Sequence, residues 1–268
     1  MAYFECDIWS AVLARRTTVH AIVPQLAPIH PERRRGKAPQ PRREYPVLYL
    51  LHGLFENAAG WRRGCPLERL AAESRMVIVM PEGGRSFYTE MAHGENYWRF
   101  VADELPEICR SILPVSGKRE ETFAAGISMG GYGALRLGLR AGERFSRVAA
   151  ISAFIDVKLH LSRREPYMEP RELADIFGLP EEQTARGNDL YALAAAAAAG
   201  GGETAAIGLF CGAGDFMIDE NRAFYRYLKE ELHWRELSGV FAPGEHNWDY
   251  WAPLMPEVLR FFEPRQGE

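Results

Sequence analysis

Three residues in this chain have the types and order for nucleophilic acyl chemistry. They are Ser128 in Gly126-Ile-Ser-Met-Gly130, Asp215 in Cys211-Gly-Ala-Gly-Asp215, and His246 in Gly244-Glu-His246. A serine hydroxyl is a weak nucleophile at neutral pH. It needs a base within hydrogen-bond reach, and the base needs a carboxylate that fixes its tautomer. The expected chemistry follows: His246 takes the Ser128 proton as the hydroxyl attacks an ester carbonyl, and Asp215 stabilises the imidazolium. Water then repeats the steps on the acyl-enzyme, and no cofactor is required.

The elements that must position these groups are legible around each. Glu121-Thr-Phe-Ala-Ala-Gly126 reads as a short buried strand, and Tyr132 to Arg140 carries apolar residues at helical spacing, so Ser128 sits on a strand-to-helix turn. Such an elbow crowds the residues two before and two after the serine, and both are Gly. The N–H groups that open the helix face the space above the serine, which makes Met129 one candidate oxyanion donor. Tyr45 to Leu51 is a buried strand running into His52-Gly53-Leu54, whose loop is expected to supply Leu54 N–H as the second donor. His52 itself, right at a strand end, is better suited to tying the loop down through ring hydrogen bonds than to acting as the base.

Asp215 follows a strand at Ala205 to Cys211, and His246 follows one at Leu237 to Phe241. Asp219 competes for the acid role but lies further on, where it would cap the next helix, Asn221 to His233. Among the other histidines, His20, His30 and His160 lie in the wrong places in the chain order, His233 ends a helix, and His93 precedes the serine. His93 remains a candidate to touch substrate from the loop Arg85 to Gly94. Trp61, Phe87, Tyr88, Trp98 and Trp248 are candidates for an acyl pocket, with core packing as the competing role. A metal hydrolase would need a tight cluster such as H-E-x-x-H, and none is present.

Further strands are expected at Tyr3 to Leu13, Thr17 to Val23, Met76 to Met80 and Arg147 to Ser152. Helices are expected at Pro66 to Glu73, Asn96 to Leu113 and Trp248 to Phe262. In the Asn96 helix, Trp98, Val101, Leu105, Ile108 and Ile112 form one stripe. Alternating strands and helices with long connections predict an α/β fold, a mostly parallel central sheet flanked by helices. Functional loops then gather at the carboxyl ends of the strands. Residues 153–188 have no clean period and are expected to insert over that end as a small cap within a single domain spanning 1–268. The alanine run Leu190 to Ala199 reads as a plain surface helix, and the basic loop from Arg33 to Arg43 as a solvated edge connection.

Composition narrows the partners. At 268 residues, 47% hydrophobic and 25% charged, the chain can build a large core; 32 basic against 36 acidic residues argue against nucleic acid as the main partner. No segment has the length of a membrane span, and acids stand where a secretory leader would be basic. Cys6, Cys65, Cys109 and Cys211 are scattered, mostly beside apolar sequence, as expected of reduced thiols in a cytoplasmic protein. The expected partner is a small-molecule ester, with self-association left open.

Leu50-Leu-His-Gly-Leu54 with Asn57 and Trp61, Ser86-Phe-Tyr-Thr89 with Gly94 and Tyr97, Glu104-Leu-Pro106, and Gly126 through Ala134 together resemble the tributyrin esterase branch of the esterase D family. The resemblance continues through Cys211 to Asp215 and Gly244 to Trp248, and it covers most of the chain from about Tyr45 onward. It implies an α/β-hydrolase fold and a carboxylesterase of short acyl esters. It also implies Ser128, Asp215 and His246 as the triad, with Leu54 and Met129 as the oxyanion hole. The family includes S-formylglutathione hydrolases, so a thioesterase using Arg85 or the Arg163-Arg164 pair stays open, as do an acyltransferase and a non-catalytic binding protein on the same fold. The basic loop and the alanine run depart from the family pattern.

Overall fold

Parallel strands covered on both faces must be apolar throughout, and five such runs form the middle of the molecule. In the computed structural model, which describes residues 1–25, 44–163 and 166–263, eight strands form one sheet in the order β1-β2-β4-β3-β5-β6-β7-β8. These are β1 Ala2–Ser10, β2 Arg15–Val23, β3 Val47–Leu51, β4 Val77–Pro81, β5 Thr122–Ile127, β6 Arg147–Ile151, β7 Ala206–Gly212 and β8 Leu237–Ala242. β1 and β2 form an antiparallel hairpin, β2 pairs antiparallel to β4, and all other pairs are parallel. The first strand ends at Ser10, short of the expected Leu13, because residues 11–14 turn the hairpin and Ala14 takes a positive φ.

Alternation along β3 shows how the layers are divided. Val47, Tyr49 and Leu51 face a core shared with the elbow helix Met129–Arg140 and the helical stretch 97–112. Leu48 and Leu50 face a second core with the helices Leu67–Ser74 and Trp248–Phe261. The sheet thus carries helices on both faces, as the sequence pattern predicts. Its carboxyl edge delivers His52 after β3, Ser128 after β5, and the loops after β7 and β8 to one end of the molecule.

The stripe expected on the Asn96 helix does not run its full length. A π turn, Phe100–Glu104, interrupts the helix ahead of Leu105–Ile112 and shifts its register, which leaves Ile112 54% exposed while Phe100, Ala102 and Cys109 are buried. Pro106 is the physical reason: it has no N–H to offer the Ala102 carbonyl, which instead accepts from Arg144 Nη1 at 2.8 Å. The Leu190–Ala199 helix buries Leu190 and Ala194 and is capped by Asp189, which accepts from the N–H groups of Tyr191 and Ala192. Residues 153–188 hold the helices Val157–Ser162 and Pro170–Phe177. The basic loop Arg33 to Arg43, His30 and Arg164 lie outside the described residues.

All four cysteines are free, and three are buried. Burial pushes the Cys65 thiol up to about 11 and that of Cys109 to about 12, so neither is a reactive thiolate. Among the described residues no helix is long and apolar enough to cross a membrane.

Candidate active site

Ser128 occupies a backbone conformation that L residues rarely adopt, φ 54° and ψ −115°. The turn holds it there. Its N–H donates to Ile151 O at 2.9 Å on β6, and its carbonyl accepts from Tyr132 N at 3.1 Å in the elbow helix. A Cβ on Gly126 would overlap the Gly130 backbone, and one on Gly130 would overlap the Leu51 carbonyl, so no larger residue fits at either position without displacing main chain. Met129 is the first residue of the helix, and its N–H therefore has no intrahelical acceptor.

The loop after β3 is fixed by His52, which is 1% exposed. Gly83 N–H donates to its Nε2 at 2.9 Å, so the remaining ring nitrogen carries the proton and Nδ1–H donates to Gly53 O at 2.8 Å. Both ring nitrogens are thereby used for structure, as expected from its position at a strand end. Tyr88 reinforces the loop, its hydroxyl donating to His52 O at 3.1 Å.

Asp215 is 2% exposed, and His246 Nδ1 lies 3.0 Å from each of its carboxylate oxygens. Met217 N–H also donates to Oδ1 at 2.8 Å. Burial by itself would raise the Asp215 carboxyl. The hydrogen bond and charge of His246, the Ser152 hydroxyl and the Met217 N–H outweigh that, and hold it below the usual aspartate range. Ser152, fully buried at φ 48°, accepts in turn from Trp251 Nε1 at 3.0 Å. With Nδ1 donating to the carboxylate, the other nitrogen of a neutral His246 ring is an acceptor. Asp219 is not the cap of the following helix: Met217 takes that position and Asp219 lies in the first turn.

Ser128 and His246 line one cavity of about 450 Å³, together with Gly53 and Leu54. No hydrogen bond joins Ser128 to His246 among the described residues. Most of the lining is apolar: Phe87, Ile127, Phe154, Met217 and Trp251 form the walls. Trp248 lines the cavity too, and its Nε1 donates to Glu56 Oε1 at 3.3 Å.

Four of the expected substrate contacts, Trp61, Tyr88, His93 and Trp98, need correction. Trp61 is fully buried behind Trp248, its indole N–H donating to Leu51 O at 2.9 Å, because a buried indole must find a carbonyl. Tyr88 is likewise buried, spent on His52. His93 belongs to a separate surface depression with Glu172 and Asp175, where its N–H donates to Asp175 O at 2.8 Å. Trp98 lies under the guanidinium groups of Arg136 and Arg140, away from the cavity. Sequence reasoning missed Phe55, Tyr167, Phe216 and Trp251. The signal for three of them was adjacency: Phe55 follows Leu54, Phe216 follows Asp215, and Trp251 stands one helical turn after Trp248.

The Esterase family model matches residues 30–262. An acetyl esterase of Caldicellulosiruptor saccharolyticus is 31% identical over 268 residues, covering 97% of this chain and 98% of that one. A fluorophosphonate-binding serine hydrolase of Staphylococcus aureus superposes with a TM-score of 0.85 at 24% identity, over 98% of this chain and 99% of its own. S-formylglutathione hydrolase of the same organism gives 0.83 at 24% identity, over 97% and 98%. At such identity these two structures establish a shared fold. The chain belongs to the Esterase family and is a carboxylic ester hydrolase with the α/β-hydrolase fold.

Proposed function

We propose that the protein is a serine carboxylesterase of short-chain acyl esters, with Ser128 as nucleophile, His246 as general base and Asp215 as its orienting carboxylate. The observation that carries this reading is the His246 ring held by both oxygens of buried Asp215 on a cavity that also exposes Ser128 at an elbow. Attack by Ser128 Oγ sends its proton to His246 Nε2, and Asp215 stabilises the resulting imidazolium. The N–H groups of Leu54 and Met129 receive the oxyanion; the chemistry needs no cofactor. His246 then returns the proton to the leaving alcohol, and water repeats the cycle.

The short-chain preference is supported by the inner wall. Phe87, Phe154 and Met217 are each at most 2% exposed and close the cavity, and the described residues of 153–188 act as a cap contributing Phe154 and Tyr167. A glutathione thioester would need a free cation for its carboxylates. Of the two candidates, Arg85 is held by Glu172 through two hydrogen bonds, Nη2 to Oε2 at 3.0 Å and Nε to Oε1, and Arg164 of the Arg163-Arg164 pair lies outside the described residues. The pairing of Arg85 and the likeness to an acetyl esterase favour the oxygen ester.

The test is kcat/KM on p-nitrophenyl esters from acetyl to octanoyl, with S-formylglutathione in parallel. Acetyl to butyryl esters are expected to be the best substrates. A preference for octanoyl, or a much higher kcat/KM on the thioester, would overturn the assignment.

A further inference from the structure

Six large apolar side chains are exposed among the described residues, and two of them, Phe55 at 75% and Phe216 at 62%, line the same cavity. Solvent-exposed phenylalanines gathered at a pocket mouth mark a surface meant to be covered by ligand. They come from different loops. Phe55 follows the oxyanion-loop residue Leu54, Phe216 follows Asp215, and Tyr167 lies between them with ring centroids 6.4 Å from Phe55 and 6.2 Å from Phe216. Phe216 also packs against the His246 ring at 4.5 Å.

That last contact decides which part of an ester the rim meets. His246 must reach the leaving oxygen to protonate it, so the group carried by that oxygen departs along the histidine side of the cavity, over Phe216. The charges set its polarity. Among the described residues, Glu56 is the carboxylate lining the cavity and it is held by Arg63 at 2.5 Å, while the nearby guanidinium of Arg85 is paired with Glu172 and lies 5.6 Å above the Phe55 ring, so neither charge is left to hold an anionic alcohol.

We propose that Phe55, Tyr167 and Phe216 form a subsite for the alcohol half of the ester, selecting uncharged aryl or bulky apolar alcohols over small or anionic ones. This rests on the serine esterase reading above and adds to it the class of leaving group.

The experiment compares benzyl acetate with ethyl acetate, which share an acyl group and have alcohols of similar acidity, by titrating the released acid. The parent is expected to favour benzyl acetate in kcat/KM by about tenfold or more, the order expected for burying a phenyl ring. In Phe55→Ala, Phe216→Ala and the double variant, the benzyl-to-ethyl ratio is expected to fall toward one, while Phe216→Leu retains most of it. The ratio cancels any general loss caused by a displaced His246. Against 4-carboxybenzyl acetate the parent is expected to be at least about tenfold slower than against benzyl acetate, and Glu172→Gln, which releases Arg85, to narrow that gap. A parent ratio near one, or a ratio unchanged in the double variant, overturns the subsite. A gap that is absent, or that Glu172→Gln leaves untouched, overturns the charge selection. A parent that cleaves neither acetate overturns the esterase reading itself.

Discussion

Replacing Asp215 by Asn changes one atom and one charge in a site where both are measurable. The carboxylate is buried, and each oxygen is 3.0 Å from His246 Nδ1. Opposite unit charges at that separation, at an effective dielectric of about 20, attract by about 5–6 kcal/mol. This attraction appears only when His246 becomes an imidazolium in the transition state, so its loss falls on kcat. At about 1.4 kcal/mol per factor of ten, kcat is expected to drop by roughly four orders of magnitude. The asparagine carbonyl still accepts from Met217 N–H, so the fold is retained and the thermal midpoint moves by no more than a few degrees. The assay is p-nitrophenyl acetate hydrolysis at saturation, with thermal denaturation on the same preparation. A loss of less than about tenfold in a folded variant would refute the assignment of Asp215 as the partner of the base.

Other consequences are equally direct. Gly126→Ala forces a Cβ into the Gly130 backbone, and is expected to cost about 3 kcal/mol or more in urea denaturation; a change below about 1 kcal/mol would mean the elbow is looser than described. Arg136 is fully buried and donates to Tyr88 O and Gly187 O, so Arg136→Met leaves two carbonyls without their donor and is expected to lower stability by about 2–5 kcal/mol, an unaltered urea midpoint being the contrary result. Burial raises the Glu220 carboxyl, but His160 and the N–H groups of Asp156 and Ile155 outweigh it and depress it overall. A depressed folded pKa contributes stability that is present above the unfolded carboxylate range and is lost as pH falls through the folded value. Glu220→Gln should therefore flatten the fall of the thermal midpoint in acid; an unchanged acid limb would contradict this.

Much of the fold was readable because the central strands are buried on both faces and appear as uninterrupted apolar runs, as in Val47 to Leu51 and Val77 to Met80. The elbow was readable because steric crowding admits only glycine at 126 and 130. Where the reading failed, a local hydrogen-bonding demand had overridden the pattern. Periodicity extended the Ile112 stripe through a helix that Pro106 forces into a π turn. Aromatic type suggested Trp61 and Tyr88 as pocket residues, yet each carries a polar atom that burial obliges to bond a backbone carbonyl, Leu51 O and His52 O. The rim residues Phe55 and Phe216 belong to loops, where no period marks which side chains face the cavity.

The central claim is that Ser128 is the attacking group. Its most direct test is kcat for p-nitrophenyl acetate on the parent and on Ser128→Ala, each confirmed folded. The account predicts a loss on the order of 10⁶ in the variant, as removal of a triad serine can cause. Equal turnover by the two proteins would contradict it.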